Sequence, residues 1–244
     1  MPPTDASADT GPGPRAPAGP GTEDTLDLRL PDELLTLFRA DEPGTGNRRP
    51  RGADDDLLDT VADWDPVTTP LGTFRLVPVR PERDRDLISR WMNDPAVAAF
   101  WDLAGPVSVT EAHVRAQLDG DGRSVPCLGV LGSTPMSYFE IYRADLDPLA
   151  RHYPARPHDT GVHLLIGGVT DRGRRVGTTL LQAVSNLVLD NRPRCARVIA
   201  EPDLRNTPSV SAFLSAGFRF SAELDLPDKR AALMIRDRSL RHLL

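Results

Sequence analysis

The chain has 244 residues, 24 of them proline and 19 glycine, a formal net charge of −6 and two cysteines. Length favours one domain plus an extension, or two small domains, and with no run of 18 apolar residues a membrane span is excluded. No basic start followed by an apolar stretch marks a signal peptide, and two cysteines make neither a disulfide framework nor a metal site, so Cys127 and Cys195 read as buried apolar residues of a cytoplasmic protein.

Charge divides the chain. Residues 1–70 carry fifteen acidic residues and six arginines, net −9, while the rest is net +3. An acidic segment before a mildly basic body, with no basic stripe interleaved with aromatics, disfavours nucleic acid and suits a small anionic ligand. Residues 1–22, rich in Pro, Gly, Ala and Thr, cannot offset the entropy of ordering and read as disordered. Within Thr25–Ala40, "LDLRL" alternates like a strand and "PDELLTLF" suits a short helix; "DEPGTGNRRPRGADDD" reads as linker. The expected division is therefore 1–70, an acidic, largely disordered extension, and 71–244, one folded domain.

From Leu71 the pattern tightens. "TFRLVPVR" reads as a strand. "PERDRDLISRWMND" sets Leu87, Ile88, Trp91 and Met92 on one helical face, with Pro95 beyond its end. "SVTEAHVRAQLDG" opens with Ser108 and Glu111 spaced as a capping box and stops at Gly120. "SVPCLGVLGS" and "PMSYFEIYRA" read as strands around a Gly132–Pro135 turn, and "GVHLLIGG" as a buried strand. "VGTTLLQAVSNLVLD" places Leu180, Leu181, Val184, Leu187 and Val188 at helical spacing. "CARVIAEPD" is a strand. "NTPSVSAFLSAGF" is a helix with Thr207 as cap and Val210, Phe213 and Leu214 inward, and "FRFSAELDLP" and "RAALMIRDR" close as a strand pair. The order β, α, α, β, β, β, α, β, α, β, β predicts an α/β fold, a mixed central sheet with helices on both faces.

The junction "GGVTDRGRRVGTT" joins strand to helix through glycines and arginines, where unpaired N–H groups and the positive end of the helix dipole suit a phosphate. A P-loop requires Gly-Lys-Ser/Thr, which is absent, and the glycine spacing of a dinucleotide fingerprint is absent too. The third reading is acetyl-coenzyme A, its diphosphate gripped by the N–H groups that open the helix. A solvated basic turn before a helix is the plain alternative.

Here the chain resembles the GCN5-related N-acetyltransferases (GNAT). "RGRRVG" stands where that family has its Arg/Gln-x-x-Gly-x-Gly/Ala loop, with Arg172 at the first position and Gly177 at the last; Arg175 stands where the family usually has glycine. "WMNDPAV", "YFEIYRA", "GVHLLIGG", "EPDLRN" and "LPDKRAALM" together resemble the siderophore-biosynthesis branch, over roughly residues 73–240. The resemblance implies the GNAT fold, an acyl-CoA co-substrate held by Arg172, Gly173, Arg174, Arg175, Val176, Gly177 and Thr178, and no permanently bound cofactor or metal.

Acyl transfer to nitrogen requires an unprotonated nucleophile, a polarised thioester carbonyl and a proton acceptor. His163, on the strand leading to the loop, has an imidazole suited to the last task, and the branch carries a catalytic histidine there; an inert strand histidine is the alternative. Asp203 is carried over from the branch as the second catalytic group, with Glu201 its near rival on the same strand and Asn206 a candidate for substrate contact; Asp203 and Asn206 also suit a turn and a helix cap. Trp101, Tyr138 and Glu140 are candidates to line the acceptor pocket, although core packing explains the two aromatics equally well. The resemblance implies acylation of N-hydroxylysine or an N-hydroxydiamine in hydroxamate siderophore assembly, with siderophore assembly enzymes as possible partners. The rival readings are acylation of a plain lysine with a longer chain, an aminoglycoside-type acetyltransferase, and a non-catalytic module that binds coenzyme A or a partner.

Overall fold

The computed structural model describes Leu58 and residues 60–241. The strand and helix expected within Thr25–Ala40 and the acidic linker lie outside the described residues.

Eight strands form one mixed sheet: β1 (Val67–Thr69), β2 (Gly72–Pro78), β3 (Ser124–Leu131), β4 (Thr134–Arg143), β5 (Thr160–Ile166), β6 (Arg197–Ala200), β7 (Arg219–Asp225) and β8 (Arg230–Asp237). Their order is β1-β2-β3-β4-β5-β6-β8-β7, antiparallel throughout except for β5 against β6. Among the described residues the sheet is joined by five α-helices: α1 (Pro81–Met92), α2 (Pro95–Trp101), α3 (Val107–Leu118), α4 (Val176–Asn191) and α5 (Thr207–Ser215).

Strand alternation sends successive side chains to opposite faces, and each face has its own helices. Phe74, Cys127, Phe139, Ile141 and Val162 meet α4 and α5 on one side. Leu128, Val130, Tyr138 and Leu165 meet Ile88, Met92, Val97 and Val114 of the first three helices on the other. All five α4 residues placed at helical spacing by the sequence are buried, each worth about 1.5–3 kcal/mol of apolar burial. Both cysteines are buried as well.

Several expectations are corrected. Helix α2 was absent from the sequence reading, because Pro95 was read as a stop; it is instead the first residue of a new helix, capped by Asp94, whose side chain accepts from the Ala96 N–H at 2.9 Å. Proline suits that position because its missing N–H has no intrahelical partner anyway. The capping box at Ser108 does not form: Pro106 stands at the cap position and α3 starts at Val107, two residues earlier than expected, and Glu111 instead pairs with Arg85 at 2.7 Å and Arg115 at 2.9 Å. Asn206, not Thr207, caps α5, and Leu214 is exposed. N-terminal to residue 71, Leu58, Val61 and Trp64 are buried in the core and β1 pairs with β2.

The site depends on one topological feature. Strands β5 and β6 pair only at Thr160–Val198 and Gly161–Ile199. Beyond those two rungs they part, leaving the rest of β5 with an open edge and a cleft between the strands.

Candidate active site

The cleft is lined at its base by charge. His163, two residues past the last β5–β6 rung, has Nε2 2.5 Å from Glu201 Oε1, just beyond the end of β6, and Nδ1 2.9 Å from Glu140 Oε2 on β4. Register explains the second contact, since Glu140 lies directly opposite His163 across the β4–β5 ladder. Both carboxylates are buried, while the His163 side chain keeps 34% of its surface exposed toward the cleft.

Each carboxylate is further held. Glu140 Oε1 receives the Tyr138 hydroxyl at 2.9 Å and the Gln117 amide at 2.7 Å, and lies 2.5 Å from His113 Nε2. This answers the difficulty of placing Glu140 in a core, because a buried charge needs such partners. Glu201 Oε2 receives the Tyr142 hydroxyl at 2.7 Å, and Lys229 Nζ stands 3.6 Å from its Oε1. The Tyr142 ring lies over Gly161, where a Cβ would come within 2.1 Å of the ring; glycine at this position makes room for the ring beside His163, centroids 4.8 Å apart.

These contacts set the protonation states. Burial alone would lower the His163 pKa, but the Glu201 charge and the hydrogen bonds that the ring donates to both carboxylates outweigh it and raise it to about 10. Burial would likewise raise Glu201, but the His163 charge, the same hydrogen bond, Lys229 and Tyr142 bring it down to about 2. Glu140 is held well below the carboxylate range against its burial by the two histidines. His163 is therefore an imidazolium at neutral pH, with both N–H groups donating to carboxylates.

Asp203 lines the same cavity, but its carboxylate is held by Arg205, Nη2 at 2.6 Å, and accepts the Arg205 backbone N–H at 2.8 Å. The group bonded to His163 is its near rival, Glu201. Trp101 packs edge-on against Tyr138 and against His163, centroids 5.6 and 6.0 Å away. Asn206 accepts from the Ser209 N–H as helix cap while also facing the cavity. Sequence reasoning missed Tyr142, His113, Gln117 and Lys229. Tyr142 was within reach of it, since it shares a strand face with Tyr138 and Glu140 by period two; nothing local marked the α3 pair.

A cavity of about 240 Å³ lies over this cluster, and one of about 630 Å³ adjoins it toward the start of α4. Phe100, Trp101, Leu164, Asn206 and Ser209 line both. Into the larger cavity face Arg172, Gly173, Arg175, Gly177 and Thr178. Gly173 (φ +71°) and Arg175 (φ +63°) take the left-handed conformation that turns the chain into α4. The first intrahelical bond runs from the Thr179 N–H to the Arg175 carbonyl at 3.0 Å, so the N–H groups of Val176, Gly177 and Thr178 precede the helical ladder and offer an anion site. The Val176 side chain is buried and the Arg174 side chain exposed, and neither lines either cavity.

Arg172 is engaged within the protein. Its guanidinium donates to Asp94 Oδ1 at 2.8 Å, to the Ile166 carbonyl at 3.1 Å and to the Gly167 carbonyl at 3.3 Å. It thereby ties the loop to the cap of α2, the helix that brings Phe100 and Trp101 to the cavities.

Residues 80–226 match the family model described as an acetyltransferase (GNAT) domain. The chain is 35% identical over 175 residues to an Escherichia coli protein named N(6)-hydroxylysine O-acetyltransferase, covering 72% of this chain and 55% of that one. It is 36% identical over 160 residues to a protein named lysine N-acyltransferase MbtK from Mycobacterium sp. (strain MCS), covering 66% of this chain and 65% of that one. The chain thus spans between about half and two thirds of these relatives. Among solved structures, an uncharacterized protein from Bacillus halodurans superposes with a TM-score of 0.69 at 29% identity, covering 73% of this chain and 92% of that one.

Proposed function

Because the chain belongs to the GNAT acetyltransferase family, we propose that it is an acyl-CoA-dependent N-acyltransferase whose acceptor is the hydroxylamine of N-hydroxylysine or an N-hydroxydiamine, in hydroxamate siderophore biosynthesis. The observation that carries this reading is the junction of two cavities where β5 and β6 part: one beneath the leading N–H groups of α4, the other over Glu140, His163 and Glu201.

The N–H groups of Val176, Gly177 and Thr178 hold the diphosphate, and Arg174 and Arg175 at the exposed rim add positive charge. The pantetheine arm runs along the open edge of β5 and delivers the thioester to His163. The acceptor nitrogen attacks the carbonyl carbon, the C–S bond breaks, and coenzyme A leaves as a thiol.

His163, an imidazolium at rest, does not act as a free base in this scheme. Clamped between two carboxylates, it fixes Glu201, which faces the nucleophile and takes the place assigned to Asp203 from the resemblance. The proton that leaves the nitrogen after attack passes by way of Glu201 to the departing sulfur. A hydroxylamine arrives neutral, so no base is needed before attack and positioning carries most of the acceleration. Hydroxamate oxygens are hard ligands suited to ferric iron, which connects the product to siderophore assembly. Acyl-CoA supply puts the reaction in the cytoplasm.

The test is thiol release from acetyl-CoA and longer acyl-CoAs, offered N6-hydroxylysine, N-hydroxycadaverine or lysine. The expected result is release with a hydroxylamine acceptor and its loss in His163→Ala while coenzyme A still binds. Absence of release with every acceptor would leave a binding module.

A further inference from the structure

Two cations share one oxygen in the acceptor cavity. His163 Nε2 is 2.5 Å from Glu201 Oε1, and Lys229 Nζ is 3.6 Å from that same atom. Lys229 sits in the turn between β7 and β8, closed by the Leu226 N–H donating to the Lys229 carbonyl at 2.9 Å. Its side chain is 23% exposed and faces the cavity. A separation of 3.6 Å exceeds hydrogen-bond length, so this contact with Glu201 leaves donors of the ammonium for a further acceptor.

Two carboxylates and two cations meet around the reacting nitrogen, and a third carboxylate, Asp147 beyond the end of β4, acts on Glu201 and His163 while accepting the Leu149 N–H at 2.9 Å. Glu140 from β4 and Glu201 from the end of β6 are matched by His163 from β5 and Lys229 from the β7–β8 turn. Asp203 is held by Arg205, and Asp228 is exposed at the rim. His113 from α3 and the hydroxyls of Tyr138 and Tyr142 point at the two glutamates. Glu140, Glu201 and Asp203, the buried carboxylates that line the cavity, each already face a cation of this chain.

We infer that Lys229 is a specificity-determining residue that makes this site select a neutral nucleophilic nitrogen, a hydroxylamine, over the ammonium of an unmodified lysine. The inference rests on the N-acyltransferase reading and names the residue that enforces the acceptor proposed there. An alkylammonium in the cavity becomes a third cation beside the imidazolium and the Lys229 ammonium. To enter as the free base it must draw on the roughly one molecule in 10³ that is neutral near pH 7.4. A hydroxylamine pays no such penalty, and its N–O oxygen offers the Lys229 ammonium a hydrogen-bond acceptor. The site therefore favours the hydroxylamine by up to about 10³-fold from protonation alone. The class of reaction that must precede this one is N-hydroxylation of the amine.

The experiment is calorimetric binding of N6-hydroxylysine and of lysine to the coenzyme A complex, in two buffers of different ionisation enthalpy, so that protons released on binding are counted. Wild-type protein is expected to bind the hydroxylamine with no proton release, and lysine at least a hundredfold more weakly with release of close to one proton. Lys229→Met, which leaves Glu201 with a surplus charge, is expected to bind lysine at least tenfold tighter than wild type does and without proton release. Wild-type binding of lysine as its ammonium, at an affinity equal to that of the hydroxylamine, overturns the inference, and this half of the test does not depend on the variant folding. So does a Lys229→Met protein whose affinities for both acceptors shift equally. Thiol release in the same preparation separates the two levels: turnover with both acceptors at equal kcat/KM refutes the selectivity alone, and turnover with neither refutes the acyltransfer reading.

Discussion

Replacing Glu201 by Gln removes one charge from the cluster while keeping its shape. The Glu201 pKa falls from 4.5 to about 2 on folding, and one pKa unit corresponds to about 1.4 kcal/mol, so the carboxylate is favoured by roughly 3 kcal/mol. The raised His163 value reports the same attraction from the other partner and is not additional. Since His163 is one-third exposed, solvent screening reduces the figure to about 2 kcal/mol, or roughly 4–8 °C in Tm for a domain of this size. The sign with pH follows from both partners. Glu201 is depressed, so its contribution is present above about 4.5 and fades as pH falls toward 2. His163 is raised, so its contribution is full below 6.5 and disappears as pH rises through about 10. The Tm gap between wild type and Glu201→Gln should be widest between those limits, near pH 5–6, and narrow toward pH 10. Thermal unfolding across that range, with an NMR titration of His163, checks it. The midpoint of His163 should drop by at least about one unit in the variant. An unchanged midpoint, or a Tm gap flat with pH, refutes the ion-pair assignment.

Gly161→Ala should push the Tyr142 ring off β5, break its bond to Glu201 and cost about 1–3 kcal/mol, with turnover falling while coenzyme A affinity holds; unaltered turnover and Tm would contradict it. Arg175→Gly relieves a non-glycine residue held at φ +63°, so Tm should hold or rise by the equivalent of about 1 kcal/mol, while coenzyme A binds a few-fold more weakly by titration for want of one positive charge. Arg197→Ala strands Asp159, which is fully buried and held by that guanidinium, Nε at 3.0 Å; unfolding should show a loss of about 3–5 kcal/mol. Asp94→Ala frees the Arg172 guanidinium from the cap of α2 and should raise the KM for both substrates, read in steady-state kinetics, because α2 lines both cavities.

What could be read from the sequence was what repeats with a period or sits in a local signal. Helix α4 declared itself through five apolar residues at helical spacing, and the strands around His163 through short apolar runs. The turn at Arg172–Thr178 was visible because glycines and polar residues interrupt two apolar runs there, and the chain does turn from β5 into α4 at that point. Boundaries failed where one signal has two meanings: Pro95 ends one helix and starts another, and Ser108 with Glu111 has cap spacing, yet Glu111 is taken by Arg85 and Arg115. At the site, Glu140 and His163 meet only because of the β4–β5 register, and the choice of Glu201 over Asp203 depends on which way the chain turns after β6. Lys229 and His113 reach the cavity from a distant turn and a distant helix, contacts of tertiary structure that no local spacing encodes.

In the proposed reaction an acyl-CoA lies across both cavities, its diphosphate on the first turn of α4 and its thioester at the cleft beside His163. A crystal structure of the protein with coenzyme A tests it most directly. Diphosphate oxygens are expected within hydrogen-bond distance of the N–H groups of Val176, Gly177 and Thr178, and the sulfur in the cleft between β5 and β6. A diphosphate bound anywhere else, or a sulfur directed away from His163, would contradict it.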